Sequence, residues 1–212
     1  MEWLNARKKG IGGSDAAAIL GLNPYISNVD LWKIKTGRME QKDISDKDCV
    51  KYGNKLEPVL IDLFEADNQD YEIIDKEEAR QDKFHNFIYD KEYSFLFANL
   101  DGIIKNKENG KLGVLEIKTC QANQYNLEKW NNRIPTNYYC QVIHYLSVTN
   151  FEYAFVYVLI KHLNNLEVRK YNILKNEVQE EIELLRYKEI EFWTEYVQKD
   201  VEPNLIINLN NN

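Results

Sequence analysis

The chain has 212 residues, which is long enough for one domain with a well-buried core. Its 27 Lys and Arg against 34 Asp and Glu give a formal net charge of −7, which argues against a protein that coats nucleic acid through nonspecific basic contacts. Three widely spaced cysteines, Cys49, Cys120 and Cys140, argue against a disulfide framework and indicate a reducing compartment. No secretory pattern opens the chain and no apolar run approaches the roughly 20 residues that span a bilayer, so we expect no membrane association.

The hydrophobic pattern predicts a single α/β (α+β) domain over residues 1–203, with a central mixed sheet flanked by helices. Residues 204–212 are rich in asparagine, and we expect this tail to be frayed. The predicted helices are 14–21, 29–37, 52–68, 123–131, 136–147 and a long C-terminal helix from Lys175 to about Lys199. The predicted strands are 71–79, 84–89, 93–105, 112–119, 152–162 and 166–173.

A glycine-rich segment near the start of the chain has the composition of an anion-binding loop. The glycines of Gly10–Gly13 permit close backbone approach, and Ser14-Asp15 is a candidate N-cap for the first helix. Backbone N–H groups at the helix start would point towards an anion, and Arg7 can offer a forked set of donors to phosphate oxygens. An ordinary loop and capped helix is the alternative, and these residues alone favour it.

Glu57 directly precedes Pro58 and an apolar helical run. The pattern predicts that the proline falls in the first turn of an amphipathic helix, where its missing N–H costs little. Glu57 is then either a glutamate favoured by the helix dipole or a functional carboxylate.

Asp101, Glu116 and Lys118 lie at the ends of apolar runs that read as buried strands, where ionisable groups need a partner or an ion. Alternation along a strand sends Glu116 and Lys118 to one face and Ile117 to the other. A hairpin closed by residues 105–111 would bring Asp101 alongside Glu116. Two carboxylates on adjacent strands suit Mg²⁺ or Mn²⁺, and a surface ion pair between Glu116 and Lys118 is the simpler alternative.

Gln141 and Tyr145 fall four residues apart on a predicted helix that also carries Val142, Ile143 and Leu146. Their spacing places both side chains on one face of that helix. They form either a polar edge beside the core or part of a site.

Four segments of the chain resemble motifs of a known family, and they occur along the chain in the order that the family has. Asp101 followed fifteen residues later by Glu116-Ile-Lys118 resembles the signature of the PD-(D/E)xK nuclease superfamily. Residues 52–58 resemble its upstream helical glutamate motif, and residues 141–145 resemble the Gln-x-x-x-Tyr helix of the RecB-like and lambda-exonuclease-like branch. Residues 7–21 resemble the start of the YqaJ-type viral recombinase family, relatives of phage lambda exonuclease. The resemblance covers roughly residues 3–160.

The resemblance implies a restriction-endonuclease-like core and a role for each motif residue. The implied catalytic residues are Asp101, Glu116, Lys118, Glu57 and Gln141, with Tyr145 in a supporting hydrogen bond. Two Mg²⁺ ions, or Mn²⁺ in their place, would be held by Asp101, Glu116 and the Ile117 carbonyl. Arg7 and Ser14 match the positions that hold the 5′-phosphate of the strand being degraded.

The implied activity is that of a metal-dependent 5′→3′ exonuclease, which degrades one strand of linear double-stranded DNA and leaves 3′ single strands for recombination by strand annealing. Implied partners are DNA ends, a single-strand annealing protein and two further copies of the chain in a ring-shaped trimer, in the cytoplasm of a bacterial or phage-infected cell. An endonuclease of restriction or junction-resolving type, or an inactive DNA-end-binding module, is the alternative on the same core.

A DNA-binding enzyme can keep an acidic exterior if its basic residues gather in one groove. The candidates for that groove are Arg7, Lys8, Lys9, Lys33, Lys35, Arg38 and Lys129. Trp32, Tyr125 and Trp130 could stack on unpaired bases, although core packing is the favoured interpretation for Trp32.

Overall fold

The computed structural model describes residues 7–74 and 87–207. The strands are β1 (Ile11–Gly12), β2 (Tyr71–Ile74), β3 (Ile88–Tyr89), β4 (Leu96–Ala98), β5 (Gly102–Asn106), β6 (Leu112–Gln121), β7 (Tyr153–Lys161) and β8 (Leu166–Leu174). The helices are α1 (Gly13–Ile19), α2 (Asn28–Lys35), α3 (Asp48–Asp67), α4 (Gln124–Lys129), α5 (Thr136–Thr149) and α6 (Gln179–Glu191). A 3₁₀ turn (Lys175–Glu177) precedes α6 and a π-helical segment (Phe192–Val197) follows it, so a long C-terminal helical region is present as predicted.

The central sheet has five strands in the order β2-β5-β6-β7-β8. Strands β6 and β7 are parallel and the other neighbours are antiparallel, which confirms the predicted mixed sheet. A smaller sheet has the order β1-β4-β3. Predicted strand residues 75–79 and 84–86 lie outside the described residues.

The single strand predicted over residues 93–105 is wrong. It divides into β4 and β5, which belong to different sheets and are separated by residues 99–101. Apolar residues on both sides of the break, such as Phe97 and Ile103, are buried, so hydrophobicity alone does not reveal it. The break places Asp101 directly before β5, where the chain passes from one sheet to the other.

The central sheet is covered on both faces, which makes β6 a buried strand. One face packs Val114 and Val156 against α1, α5 and α6, and the other packs Ile117 and Tyr157 against Leu60 of α3 and its neighbours. The alternation predicted for β6 is therefore observed. Glu116 projects from the face opposite Ile117, towards α5.

Helix α3 begins four residues earlier than predicted, and Pro58 lies in its interior rather than in its first turn. A proline there cannot donate to the carbonyl of Asn54, which usually costs about 3 kcal/mol. Asn54 and Pro58 are both exposed, so water can satisfy that carbonyl. On the inner face of the same helix, Phe64 is fully buried and makes an edge contact with Tyr157, with ring centroids 5.4 Å apart.

The start of the asparagine-rich tail is attached to the fold. Asn28 donates from Nδ2 to the Asn204 carbonyl at 2.8 Å and accepts from the Ile206 N–H at 3.0 Å. The predicted fraying is therefore wrong for residues 204–207, because a side chain far away in sequence holds them. Residues 208–212 lie outside the described part of the chain.

A buried ion pair joins α5, α6 and β4. His144 lies 2.7 Å from Glu189 through Nδ1 and 2.9 Å from the Phe97 carbonyl through Nε2, and His144 and Glu189 are both fully buried. Both partners are acceptors, so the ring satisfies them by donating from both nitrogens as an imidazolium. Burial alone would lower the pKa of His144, but the charge of Glu189 outweighs it and raises that pKa.

Glu189→Leu is expected to lower the free energy of unfolding by about 3 kcal/mol or more, because it leaves the buried imidazolium without its carboxylate. Urea denaturation checks this value. Glu183→Leu on the exposed side of the same helix is the matched control and should change stability by less than about 0.5 kcal/mol. Equal effects of the two substitutions would show that the buried pair has no special role.

Candidate active site

Strands β5 and β6, helix α5 and the start of α1 meet at a cleft with a volume of about 150 Å³. Seven of the predicted site side chains lie in its wall. The cleft is lined by Arg7, Gly12, Gly13, Ser14, Phe87, Phe97, Asn99, Asp101, Glu116, Lys118, Gln141 and Tyr145. Positions far apart in the sequence are thus brought to one place.

The hairpin of β5 and β6 places Asp101 beside Glu116. Gly102 pairs with Leu115 in an antiparallel register, so Asp101, directly before β5, lies beside Glu116 on β6. The Ile117 N–H donates to Asp101 Oδ2 at 2.8 Å, and this hydrogen bond holds the Asp101 carboxylate against β6. The predicted hairpin is therefore observed.

Glu116 is the most buried of these carboxylates, with 1% of its side chain exposed. Its Oε1 accepts hydrogen bonds from Lys118 Nζ and from Gln141 Nε2, the latter at 2.7 Å. Its Oε2 is buried and has no hydrogen-bond partner in the described structure. Burial raises the pKa of Glu116 to about 8, with a further contribution from the charge of Asp101 that Lys118 opposes.

Lys118 is the cation of the cluster. Its ammonium donates to Glu116 and lies 5.0 Å from the centre of the Tyr138 ring. Burial alone would lower the pKa of Lys118, but the charges of Glu116 and Asp101 outweigh it and raise that pKa. The lysine is therefore a fixed positive charge within the cleft.

Gln141 and Tyr145 extend the hydrogen-bond network along α5. Gln141 Nε2 also lies 2.9 Å from Tyr145 Oη, which donates to the Asn99 carbonyl at 2.9 Å. Gly13 is required where α1 crosses this helix, because a Cβ there would lie 2.6 Å from the Tyr145 ring. The glycine-rich segment thus brings α1 against the network.

Arg7 and Ser14 form a further part of the cleft wall, the Arg7–Ser14 wall. Arg7 Nη2 donates to Ser14 Oγ, so the two predicted residues are in direct contact. The predicted N-cap is wrong: the helix begins one residue earlier, Gly12 is the N-cap, and its N–H donates to Asp15 Oδ2 at 3.0 Å. Ser14 lies inside the first turn, where its hydroxyl faces the cleft rather than the helix backbone.

Glu57 is half-buried on α3 and is not among the residues that line the cleft. Its charge nevertheless contributes to the raised pKa of Glu116, so its carboxylate lies close enough to act electrostatically on the cluster.

Comparison with known proteins identifies the family of this chain. The family model of the YqaJ-like viral recombinase domain matches residues 2–152. The chain belongs to this family. It is 36% identical over 205 residues to the uncharacterized protein YqaJ of Bacillus subtilis strain 168. The aligned region covers 96% of this chain, and the chain spans only 58% of the length of that relative.

Two solved structures share the fold of this family member. One is an alkaline exonuclease (LHK-Exo) from Laribacter hongkongensis, with a TM-score of 0.61 and 14% identity over 94% of this chain and 96% of that one. The other is LHK-Exo in complex with dAMP, with a TM-score of 0.59, the same identity and the same coverage of both chains. Identity this low is evidence for the fold alone.

Sequence patterns missed several residues near the cleft. Phe87 and Phe97 stack with ring centroids 4.5 Å apart, and Asn99 lies two residues before Asp101. Alternating hydrophobicity could not separate these from core residues. Trp32 packs in the core as favoured, and Trp130 is buried too, so the suggestion that Trp130 stacks on bases is wrong.

Tyr125 is the exposed member of the three aromatic candidates. Its side chain is 62% exposed, and Lys129 Nζ lies 4.1 Å from the centre of its ring.

Among the described residues no helix is both long enough and apolar enough to cross a membrane.

The donor set of the cleft fits a divalent cation. Buried Glu116 Oε2 has no hydrogen-bond partner in the described structure, and an ion would satisfy it. The described residues contain no group of three or more His, Cys, Asp or Glu side chains poised to bind metal. The oxygen donors present, from Asp101, Glu116 and the Ile117 carbonyl, are hard ligands of the kind that Mg²⁺ takes alongside water.

Ion binding in the cleft is expected to strengthen as pH rises and to level off above about pH 8, because the ion must displace the proton that Glu116 keeps below this pKa. Affinity should increase by about tenfold per pH unit over the range in which one proton is released. Without the ion, stability should fall as pH rises towards 8, since the folded state holds this proton more tightly than the unfolded chain.

Calorimetric titration of Mn²⁺ across this pH range checks the dependence. Glu116→Gln is the control, because it removes the titrating group and should leave only weak, pH-independent binding. Affinity of the native protein that does not change with pH would contradict the assignment.

Proposed function

We propose that this chain is a Mg²⁺-dependent 5′→3′ exonuclease that degrades one strand of linear double-stranded DNA and leaves 3′ single strands for strand annealing. The observation that carries this proposal is the composition of one small cleft. Asp101, Glu116 and Lys118 line it together with Arg7 and Ser14. Groups suited to hydrolysis and a pair suited to binding an anion therefore line the same space.

The Arg7–Ser14 wall would hold the terminal 5′-phosphate of the strand. A guanidinium offers several N–H donors in a fixed fork that matches phosphate oxygens. Ser14 Oγ is already in contact with Arg7 and would add a further polar group. An end held there would place the first phosphodiester next to the carboxylates, which favours removal of nucleotides from an end.

Lys118 would orient the attacking water and balance the negative charge that grows on the phosphate. Gln141 would hold Glu116 in place and present its amide to the scissile phosphate, supported by Tyr145. Glu57 would add negative charge from the α3 side of the site.

Two Mg²⁺ ions, with Mn²⁺ as an alternative, would bind at Asp101, Glu116 and the Ile117 carbonyl and would supply Lewis-acid stabilisation of the phosphate oxygens. Each ion would also offset the mutual repulsion of the carboxylates, which adds to the effect of burial in raising the pKa of Glu116. The net charge of −7 is compatible with this chemistry because bound ions neutralise acidic groups at the site.

The biological setting is proposed on the same basis. A viral recombinase family member with this activity would act in the cytoplasm of a bacterial or phage-infected cell and pass its product to a single-strand annealing protein. Assembly as a ring-shaped trimer would enclose the duplex. Gel filtration coupled to light scattering measures the number of copies.

Digestion of two DNA forms in Mg²⁺ and in EDTA tests the activity. The substrates are a linear duplex labelled on either strand, with 5′-phosphate or 5′-hydroxyl ends, and a closed circular plasmid. We expect Mg²⁺-dependent loss of the 5′-phosphorylated strand and an intact circle. A nicked or linearised circle would indicate an endonuclease, and an absence of cleavage in Mg²⁺ and in Mn²⁺ would indicate an inactive end-binding module.

A further inference from the structure

Lys35 lies beneath the Arg7–Ser14 wall and not in a DNA-binding groove. Only 3% of its side chain is exposed, so the suggestion that it contacts DNA is wrong. Its ammonium donates to Asp15 Oδ2 at 2.7 Å and to the backbone carbonyl of Arg7 at 2.9 Å. A buried lysine therefore connects α2 to the residues on both sides of the glycine-rich segment.

Asp15 lies between two cations. Its Oδ2 accepts from Lys35 and from the Gly12 N–H, and its Oδ1 lies 4.0 Å from Arg7 Nη2. Burial alone would raise the pKa of Asp15, but the charges of Lys35 and Arg7 outweigh it and hold that pKa below its usual range. Asp15 is therefore a buried carboxylate anion directly behind the Arg7–Ser14 wall.

This anion would weaken phosphate binding if it were not compensated. Without Lys35, the Asp15 carboxylate would have Arg7 as its nearest cation and would neutralise the charge that an incoming phosphate requires. It would also draw the guanidinium away from Ser14. With Lys35 present, the three groups carry a net charge of +1, and the guanidinium can keep its contact with Ser14.

We infer that Lys35 is a positioning residue for the end phosphate: by pairing with Asp15, it preserves the charge and the orientation of Arg7 for binding a terminal phosphomonoester. This inference rests on the proposed function only in assigning the phosphate to Arg7 and Ser14. It gives Lys35 an indirect role, through another residue, that a count of surface charges would not identify.

The first test compares the affinity for a duplex with 5′-phosphate ends against one with 5′-hydroxyl ends, by fluorescence anisotropy in EDTA. Binding is measured without hydrolysis, so the result does not depend on catalysis. Lys35→Met is expected to lower the preference for the phosphate by about tenfold, the scale of one charge-assisted contact. Lys105→Met, which removes a half-buried lysine paired with Glu72, is the control and should leave the preference unchanged.

The double variant Lys35→Met, Asp15→Asn separates this role from a direct effect of the lysine charge. It removes both members of the pair, so the net charge behind Arg7 is the same as in the native protein, and the asparagine can still accept from Gly12. A buried ion pair can often be replaced by neutral groups without loss of folding. The preference for phosphate should therefore return to within roughly threefold of the native value, as expected for coupled neighbouring sites.

Thermal melting tests whether each variant is folded. If Lys35→Met does not fold, the double variant is compared with the native protein directly. A double variant without the phosphate preference would overturn the inference. A native protein that binds both ends equally would overturn it too, while Mg²⁺-dependent digestion of linear DNA would still support the exonuclease.

Discussion

Lys118→Ala is expected to lower the rate of DNA cleavage by about 10³-fold, the scale of losing one preorganised group that stabilises transition-state charge. The ammonium is held against Glu116 within the cleft, with 18% of the side chain exposed. DNA affinity should change by less than about threefold, because a mostly buried, paired lysine adds little to the charge that DNA encounters. Single-turnover digestion of a linear duplex and anisotropy binding in EDTA measure the two quantities separately.

Lys111→Ala is the matched control, since Lys111 directly precedes β6 and its exposed side chain pairs with Glu152 at the opposite end from the cleft. That variant should cleave at the native rate. A Lys118→Ala protein with native turnover would remove the lysine from the chemistry. Equal losses of cleavage and of DNA binding would instead assign it to substrate binding.

Asp101→Asn is expected to abolish the rise in melting temperature that Mg²⁺ or Mn²⁺ produces, and to lower cleavage by about 10³-fold. An asparagine oxygen can still accept the Ile117 N–H, so the hairpin should keep its geometry. The neutral amide is a weaker ligand for a hard cation. The substitution also removes a charge that raises the pKa of Glu116, so this pKa should fall.

Asp67→Asn is the control for Asp101→Asn. Asp67, the last residue of α3, accepts a hydrogen bond of 2.7 Å from Tyr157 Oη on β7, and an asparagine can keep this contact while losing the charge. Its response to Mg²⁺ should match that of the native protein. Full thermal stabilisation of Asp101→Asn by the ion would exclude Asp101 as a ligand.

The part of the site that depends on local geometry could be predicted from the sequence. Alternation along β6 placed Glu116 and Lys118 on one face, and helical spacing placed Gln141 and Tyr145 on one face. These relations span two or four residues, and secondary structure alone fixes them.

Relations that depend on tertiary contacts could not be predicted. The break between β4 and β5 lies within a run of buried apolar residues, and no local signal marks the change of sheet. The sequence predicts that Lys35 is a surface cation. Its burial follows from the packing of α2 against α1, which brings Lys35 to Asp15. In both cases the missing information is which element lies against which.

We propose that this cleft removes nucleotides from the 5′ end of a DNA strand. The most direct test follows a linear duplex carrying a radioactive 5′-phosphate, in Mg²⁺ and in EDTA, and identifies the first labelled product. We expect Mg²⁺-dependent release of the label as a 5′-mononucleotide. Label that stays in long fragments, or a release that is unchanged in EDTA, would contradict removal of nucleotides from the 5′ end by a metal-dependent reaction.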